Sequence, residues 1–226
     1  MRKIYDAIKG SPLFQGIEYS DFEPMLTCLS ARTARYKKNG IILLSGNKID
    51  FVGLVVSGKA QIIKEDAEGR IAIMGNIVEA EIFGEAFACA GITLSPVTVQ
   101  AAENSEILFI DYKKIVTTCS SACSYHTRLI ENMLKLIAFK NLALNQKIEI
   151  LSKRTTREKL ICYFDSVRGS EKKFTIPFNR QGLAYYLCVD RSAMSGELCR
   201  MRDEGLIKFH MNEFEITGNL CIGCNV

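Results

Sequence analysis

FNRQGLAYYLCVDRSAMSGELCRMRDEGLI, residues 178–207, is the stretch that decides the architecture of this chain. It divides into two short amphipathic helices around a tight turn, an arrangement in which one helix braces the next against a DNA groove. Asn179 is placed to cap a first helix over 180–187, Cys188 and Val189 form the turn, and Asp190 caps a second helix. That second helix reaches about Glu204 and stops at Gly205, a residue suited to the left-handed conformation past a helix end. Met194, Leu198 and Met201 recur at helical spacing and point to a core, whereas Arg191, Ser192, Ser195 and Gly196 fall on the other side of its first two turns. The start of such a helix is where side chains meet base edges in the major groove. Arg180, Gln181 and Arg200 are further candidates for DNA contacts, with Lys153 and Arg154 facing phosphates.

The flanks of this stretch agree with it. After it, IKFHMNEFEI offers two strand-like halves around a polar tip at Asn212-Glu213, the pattern of a β-hairpin beside the second helix. Before it, residues 157–167 form another helix, 168–173 a charged loop and 174–176 a short strand. Charge is placed unevenly. The whole chain carries +4, yet residues 152–182 alone carry +5. A local excess of Lys and Arg is what phosphate contacts require.

Further back lies a helical stretch free of Gly and Pro, about Ser121 to Leu151. Ile130, Leu134, Ile137, Asn141, Leu144, Ile148 and Leu151 alternate steps of four and three along it, a heptad seam with a single Asn at an a position. Such an Asn fixes register in a parallel pair, so the seam predicts a homodimer. A second stripe, Leu129, Met133, Leu136 and Ala143, is placed to pack on the chain's own β-rich region. Paired recognition helices then match a palindromic operator.

Between Ala31 and Ile110 short apolar segments (IILL, FVGLVV, AQIIK, IAIMGNIV, VTVQA, EILFI) are separated by glycines and by a polar tip at 65–69. Many short strands at this spacing predict a sandwich or barrel. Residues 1–30 hold short helices. The fold expected is α+β: a β-barrel sensor region over 1–120, a long dimerisation helix over 121–151, and a winged helix-turn-helix over 152–226.

A chain of 226 residues that is 48% hydrophobic buries a good core. It has no run long enough for a bilayer and no apolar segment behind its charged N-terminus, so a cytoplasmic protein without membrane contact is expected. Nine cysteines without an export signal read as reduced thiols. Cys119/Cys123 and Cys221/Cys224 are the close pairs, and they lie in different expected domains, which argues against one cluster or zinc site; no metal site is assigned. His126 and His210 stand apart and read as surface or packing residues. No His lies in the β region and no Ser/His or Cys/His set is visible, so an enzyme is not expected.

The order of these parts resembles the Crp/Fnr family of bacterial transcription regulators. Three segments carry the resemblance: Phe83-Gly84-Glu85-Ala86, residues 147–160 (KIEILSKRTTREKL) and residues 188–207. It implies a jelly-roll β domain of the cyclic-nucleotide-binding kind, double-stranded DNA as partner and RNA polymerase as a further one. The family's first base-reading Arg falls on Arg191; its next reader, a Glu, is Ser192 here, and its second basic position is Gly196. In the effector cassette, Glu85 matches the ribose-binding Glu, and the phosphate-binding Arg-Ser pair falls on Ser95-Pro96, next to Val97. A buried phosphate without a cation is poorly compensated, so no cyclic-nucleotide response is expected. Glu85 then reads as an N-cap or turn carboxylate, the effector is an unidentified small molecule, and no cofactor is implied. Two other readings stay open: a thiol- or metal-responsive member of the family, and a ligand-binding barrel that signals without DNA.

Overall fold

A computed structural model describes residues 2–65, 68, 71–117 and 124–219. By contacts the chain forms two compact units, Met1–Ala138 and Phe139–Val226. The Cys119/Cys123 and Cys221/Cys224 pairs and most of the 65–69 tip lie outside the described residues.

The first unit opens with α1 (Arg2–Ile8), a single 3-10 turn (Pro12–Phe14) and α2 (Tyr19–Cys28). The strands follow as β1 (Arg32–Tyr36), β2 (Ile41–Leu43), β3 (Phe51–Ser57), β4 (Ala60–Glu65), β5 (Ile71–Ile77) and β6 (Ile82–Phe83). After the short helix α3 (Glu85–Cys89) come β7 (Thr98–Ala101), β8 (Ser105–Asp111) and α4 (Tyr112–Val116). They build two antiparallel four-stranded sheets, ordered β1-β8-β3-β6 and β2-β7-β4-β5. The apolar run of β3 shows why the sheets close on each other. Val52, Leu54 and Val56 belong to one core with α1, α2 and Leu108 and Ile110 of β8, while Val55 joins Phe83, Val99, Ile107 and Phe109 in another. A strand buried on both faces needs no polar alternation.

Helix α5 (Ser124–Ser152) is continuous through the boundary between the units. In its first half Leu129, Met133 and Leu136 are buried in the core of the first unit, as the second stripe requires. Asn132 sits in the same turns and donates to the carbonyls of Leu13 (3.0 Å) and Gln15 (2.9 Å), while Arg128 donates to that of Gly16. Ala143, expected in this stripe, is exposed. The seam residues Leu134, Leu144 and Ile148 are each more than 60% exposed, Asn141 is exposed, and Ile130, Ile137 and Leu151 are half-buried. Phe139 and Leu142 are also exposed, outside the heptad seam.

The second unit continues with α6 (Thr156–Arg168), β9 (Lys173–Thr175), α7 (Arg180–Leu187), α8 (Arg191–Asp203), β10 (Ile207–His210) and β11 (Glu213–Ile216). A full capping box starts α6: the Thr155 hydroxyl accepts from the Glu158 N–H and the Glu158 carboxylate accepts from the Thr155 N–H. The strands form an antiparallel sheet ordered β10-β11-β9. The hairpin tip is Met211-Asn212, one residue earlier than the sequence suggested, because His210 pairs with Glu213 and Met211 takes the left-handed conformation. Ile150, Leu160, Phe164, Leu183, Leu187, Met194, Leu198 and Phe214 share one core. No helix among the described residues is long and apolar enough to cross a membrane.

Candidate nucleic-acid interface

Local chemistry sets both ends of α7 and the start of α8. The Asn179 side chain accepts from the Gly182 N–H at 2.8 Å and starts α7. Cys188 adopts the left-handed conformation (φ 52°, ψ 52°), which ends the helix and turns the chain. Oδ1 of Asp190 then accepts from the backbone N–H groups of Ser192 (2.8 Å) and Ala193 (2.9 Å) and from the Ser192 hydroxyl (2.5 Å). These donors, the Ser192 hydroxyl foremost, hold the Asp190 carboxyl below its ordinary pKa. Met194, Leu198 and Met201 are fully buried, so α8 is fixed along one side and offers the other to solvent.

The cations of this unit are mostly occupied. Arg180 lies over the rings of Phe209 (4.7 Å) and Phe214 (5.1 Å), where burial lowers its pKa. Arg200 pairs with Glu197 at 2.9 Å and Arg202 with Asp203 at 2.9 Å. Arg157, on α6, reaches Glu197 at 2.5 Å and grips both oxygens of Glu204 at 2.7 and 2.8 Å, which holds its guanidinium charged well above the usual arginine range. Arg191, by contrast, is exposed and its side chain makes no hydrogen bond or ion pair among the described residues. Ser195 and Gln181 are half-buried, with no side-chain hydrogen bond among the described residues, and a Cβ at Gly196 would meet nothing within 4 Å. Of the seven candidates, Arg191 and Gly196 are exposed, Ser195 and Gln181 are half-buried without a partner among the described residues, Ser192 is tied to Asp190, and Arg180 and Arg200 are engaged within the fold.

The Arg157, Glu197 and Glu204 anchor escaped the sequence reading. A trace of it was present. Glu197 falls between Met194 and Leu198 on the apolar side of α8, a place where a carboxylate demands a cation.

The cassette of the first unit is held by its own backbone contacts. Gly84 caps α3 in the left-handed conformation (φ 83°), and a Cβ there would come within 3.0 Å of Ile49 and 3.2 Å of the Phe51 carbonyl. Glu85 is therefore the first residue of α3 and not its N-cap, and it is buried. Ala86 and Pro96 are exposed and Val97 half-buried. Ser95 is buried, and its hydroxyl donates to the Val97 carbonyl at 2.7 Å. Its own carbonyl accepts from the Gly46 N–H at 2.8 Å, so the segment is zipped to the turn before β3. Phe83 fills the interior beside Gly53, where a Cβ would lie 2.2 Å from its ring, and Phe51 and Phe109 extend an edge-to-face chain.

Residues 33–121 match the family model of the cyclic nucleotide-binding domain. No curated protein matches the chain in sequence. Among solved structures the chain is similar to the catabolite activator protein of Thermus thermophilus, at 19% identity and a TM-score of 0.53, covering 91% of this chain and 93% of that one. It is similar to the c-di-GMP responsive global regulator CLP of Xanthomonas campestris at 16% identity and a TM-score of 0.56, covering 89% and 100%. CprK complexed with OCPA gives 12% identity and a TM-score of 0.64, covering 88% and 90%. At these identities the likeness is one of fold: an α+β chain with a cyclic-nucleotide-binding β-roll. Ser95, the residue that the Crp/Fnr resemblance sets at the phosphate-binding arginine, commits its hydroxyl to the Val97 carbonyl of its own loop.

His126 is buried, its Nε2 3.9 Å from the Cys28 sulfur, and so is a packing residue. His210 is exposed on β10. Among the described residues no three or more His, Cys, Asp or Glu side chains gather as a metal site would need.

Proposed function

We propose that this chain is a non-enzymatic transcription regulator of the Crp/Fnr type that binds DNA as a homodimer. In this reading residues 1–120 sense a signal, 121–151 pair two chains, and 152–226 hold the duplex. The observation that carries it is the state of Arg191. It is an unengaged guanidinium in the first turn of a helix whose opposite side is fully buried and whose preceding turn is capped at both ends. That is the arrangement in which a recognition helix enters the major groove, and an Arg there can fork onto guanine O6 and N7. The exposed seam Leu134, Asn141, Leu144 and Ile148 supports pairing through α5, because an apolar stripe of this length calls for a partner. The arrangement of Ser95 and Phe83 favours an effector other than a cyclic nucleotide.

Mobility shift with promoter fragments at two salt concentrations tests the reading. Binding that weakens steeply with salt and survives bulk competitor is expected. Equal retention by every duplex, or none at either salt, would overturn it.

A further inference from the structure

Four arginines lie on α7 and α8, and the structure leaves one of them free for a base. Arg180 is spread over two phenylalanine rings, Arg200 and Arg202 are held by carboxylates, and of these four only Arg191 has a guanidinium without a partner among the described residues. The neighbouring hydroxyl is spent as well: Ser192 Oγ donates to the cap at Asp190, which leaves it only lone pairs to offer. Glu197 is the sole carboxylate in the first two turns of α8, and it is buried and gripped by Arg157 and Arg200, so none there is free to accept from cytosine N4. What remains on the first two turns of α8 is half-buried Ser195, which reads no base selectively, the methyl of exposed Ala193, which suits a thymine methyl, and open space at Gly196; Gln181, the unengaged polar side chain of α7, is half-buried.

Resting on the DNA-binding reading above, we infer that each operator half-site holds a single base pair whose identity is fixed by direct readout, a G·C pair forked by Arg191. The pairs beside it are tolerant of substitution, with a preference for thymine where Ala193 lies. Specificity of this chain is thus narrow at one position and loose elsewhere.

Selection of bound duplexes from a random pool, followed by base-by-base substitution in the best one, tests this. Replacing the guanine, or substituting 7-deazaguanine to delete only N7, is expected to weaken binding on the order of 10- to 100-fold. Every other single substitution in the half-site is expected to cost less than about threefold, short of the loss a matched base contact brings. R191K keeps the charge and loses the planar fork, so it should retain most of the salt-dependent affinity and lose the guanine preference. The Arg191 side chain is exposed and makes no hydrogen bond or ion pair among the described residues, so folding of this variant is expected to be unaffected. Two or more positions per half-site that each cost tenfold, or an unchanged preference in R191K, would overturn the inference while leaving DNA binding standing. A wild-type protein that enriches no duplex from the pool would remove the DNA-binding reading and this inference together.

Discussion

Asp190 shows how much one carboxylate does at the start of α8. Its Oδ1 accepts from two backbone amides and a hydroxyl, and each of these contacts is stronger to the ionised form. Its carboxyl titrates below the ordinary value, so the stabilisation is complete above that value and is lost as pH falls through the depressed one. Asp190→Ala is therefore expected to melt lower than wild type at neutral pH, with the gap closing in thermal melts run down through the acid range. A gap that stays constant with pH would contradict the role. Arg157 makes the complementary case. Arg157→Met leaves the buried Glu197 with only the exposed Arg200 as partner and should cost about 1–3 kcal/mol in urea denaturation. Adding Glu197→Leu should recover much of that loss, because it removes the buried carboxylate that has lost one of its two cations. Arg191 and Asp190 could be read from the sequence, since caps and first-turn positions are set by local order. The Arg157–Glu197 pair could not, because ion pairs across forty residues leave no periodicity.

Elements differ in legibility for the same physical reason. Helices α7 and α8 emerged with nearly correct ends because Asn179, Cys188, Asp190 and Gly205 act within a few residues of themselves. Strand β1 was missed: RTARY is charged, lies at a sheet edge, and carries no alternation strong enough to see. Strand β6 is two residues long. Burial of Leu198 was implied by spacing, and Leu198→Ala should cost about 2–5 kcal/mol in urea denaturation, the usual range for a fully buried leucine. The seam on α5 carries its own expectation. Ile148→Asp should give a smaller particle in sedimentation equilibrium with far-ultraviolet helix content retained, because Ile148 contributes to no core within the chain. A particle of unchanged mass would set the seam aside.

At the scale of the molecule, the β-roll was legible as a class and not as a topology. Glycine-punctuated apolar runs announce many short strands, whereas the order β1-β8-β3-β6 joins residues seventy positions apart. The proposal that the effector is not a cyclic nucleotide carries its own expectation: thermal melts with excess cAMP or cGMP should show no upward shift. A ligand at a hundredfold excess over its dissociation constant would add about 2.7 kcal/mol, which such melts resolve easily. Finally, the bend between α7 and α8 has a practical use. Cys188 is an exposed thiol in a left-handed backbone position, flanked by an exposed tyrosine at 185. In a variant keeping only this sulfhydryl, a maleimide dye would sit within a helical turn of α8, the proposed recognition helix, without disturbing its buried side. Its quenching on duplex addition would report docking in real time, and the dye's spectral response would distinguish close seating from loose electrostatic capture.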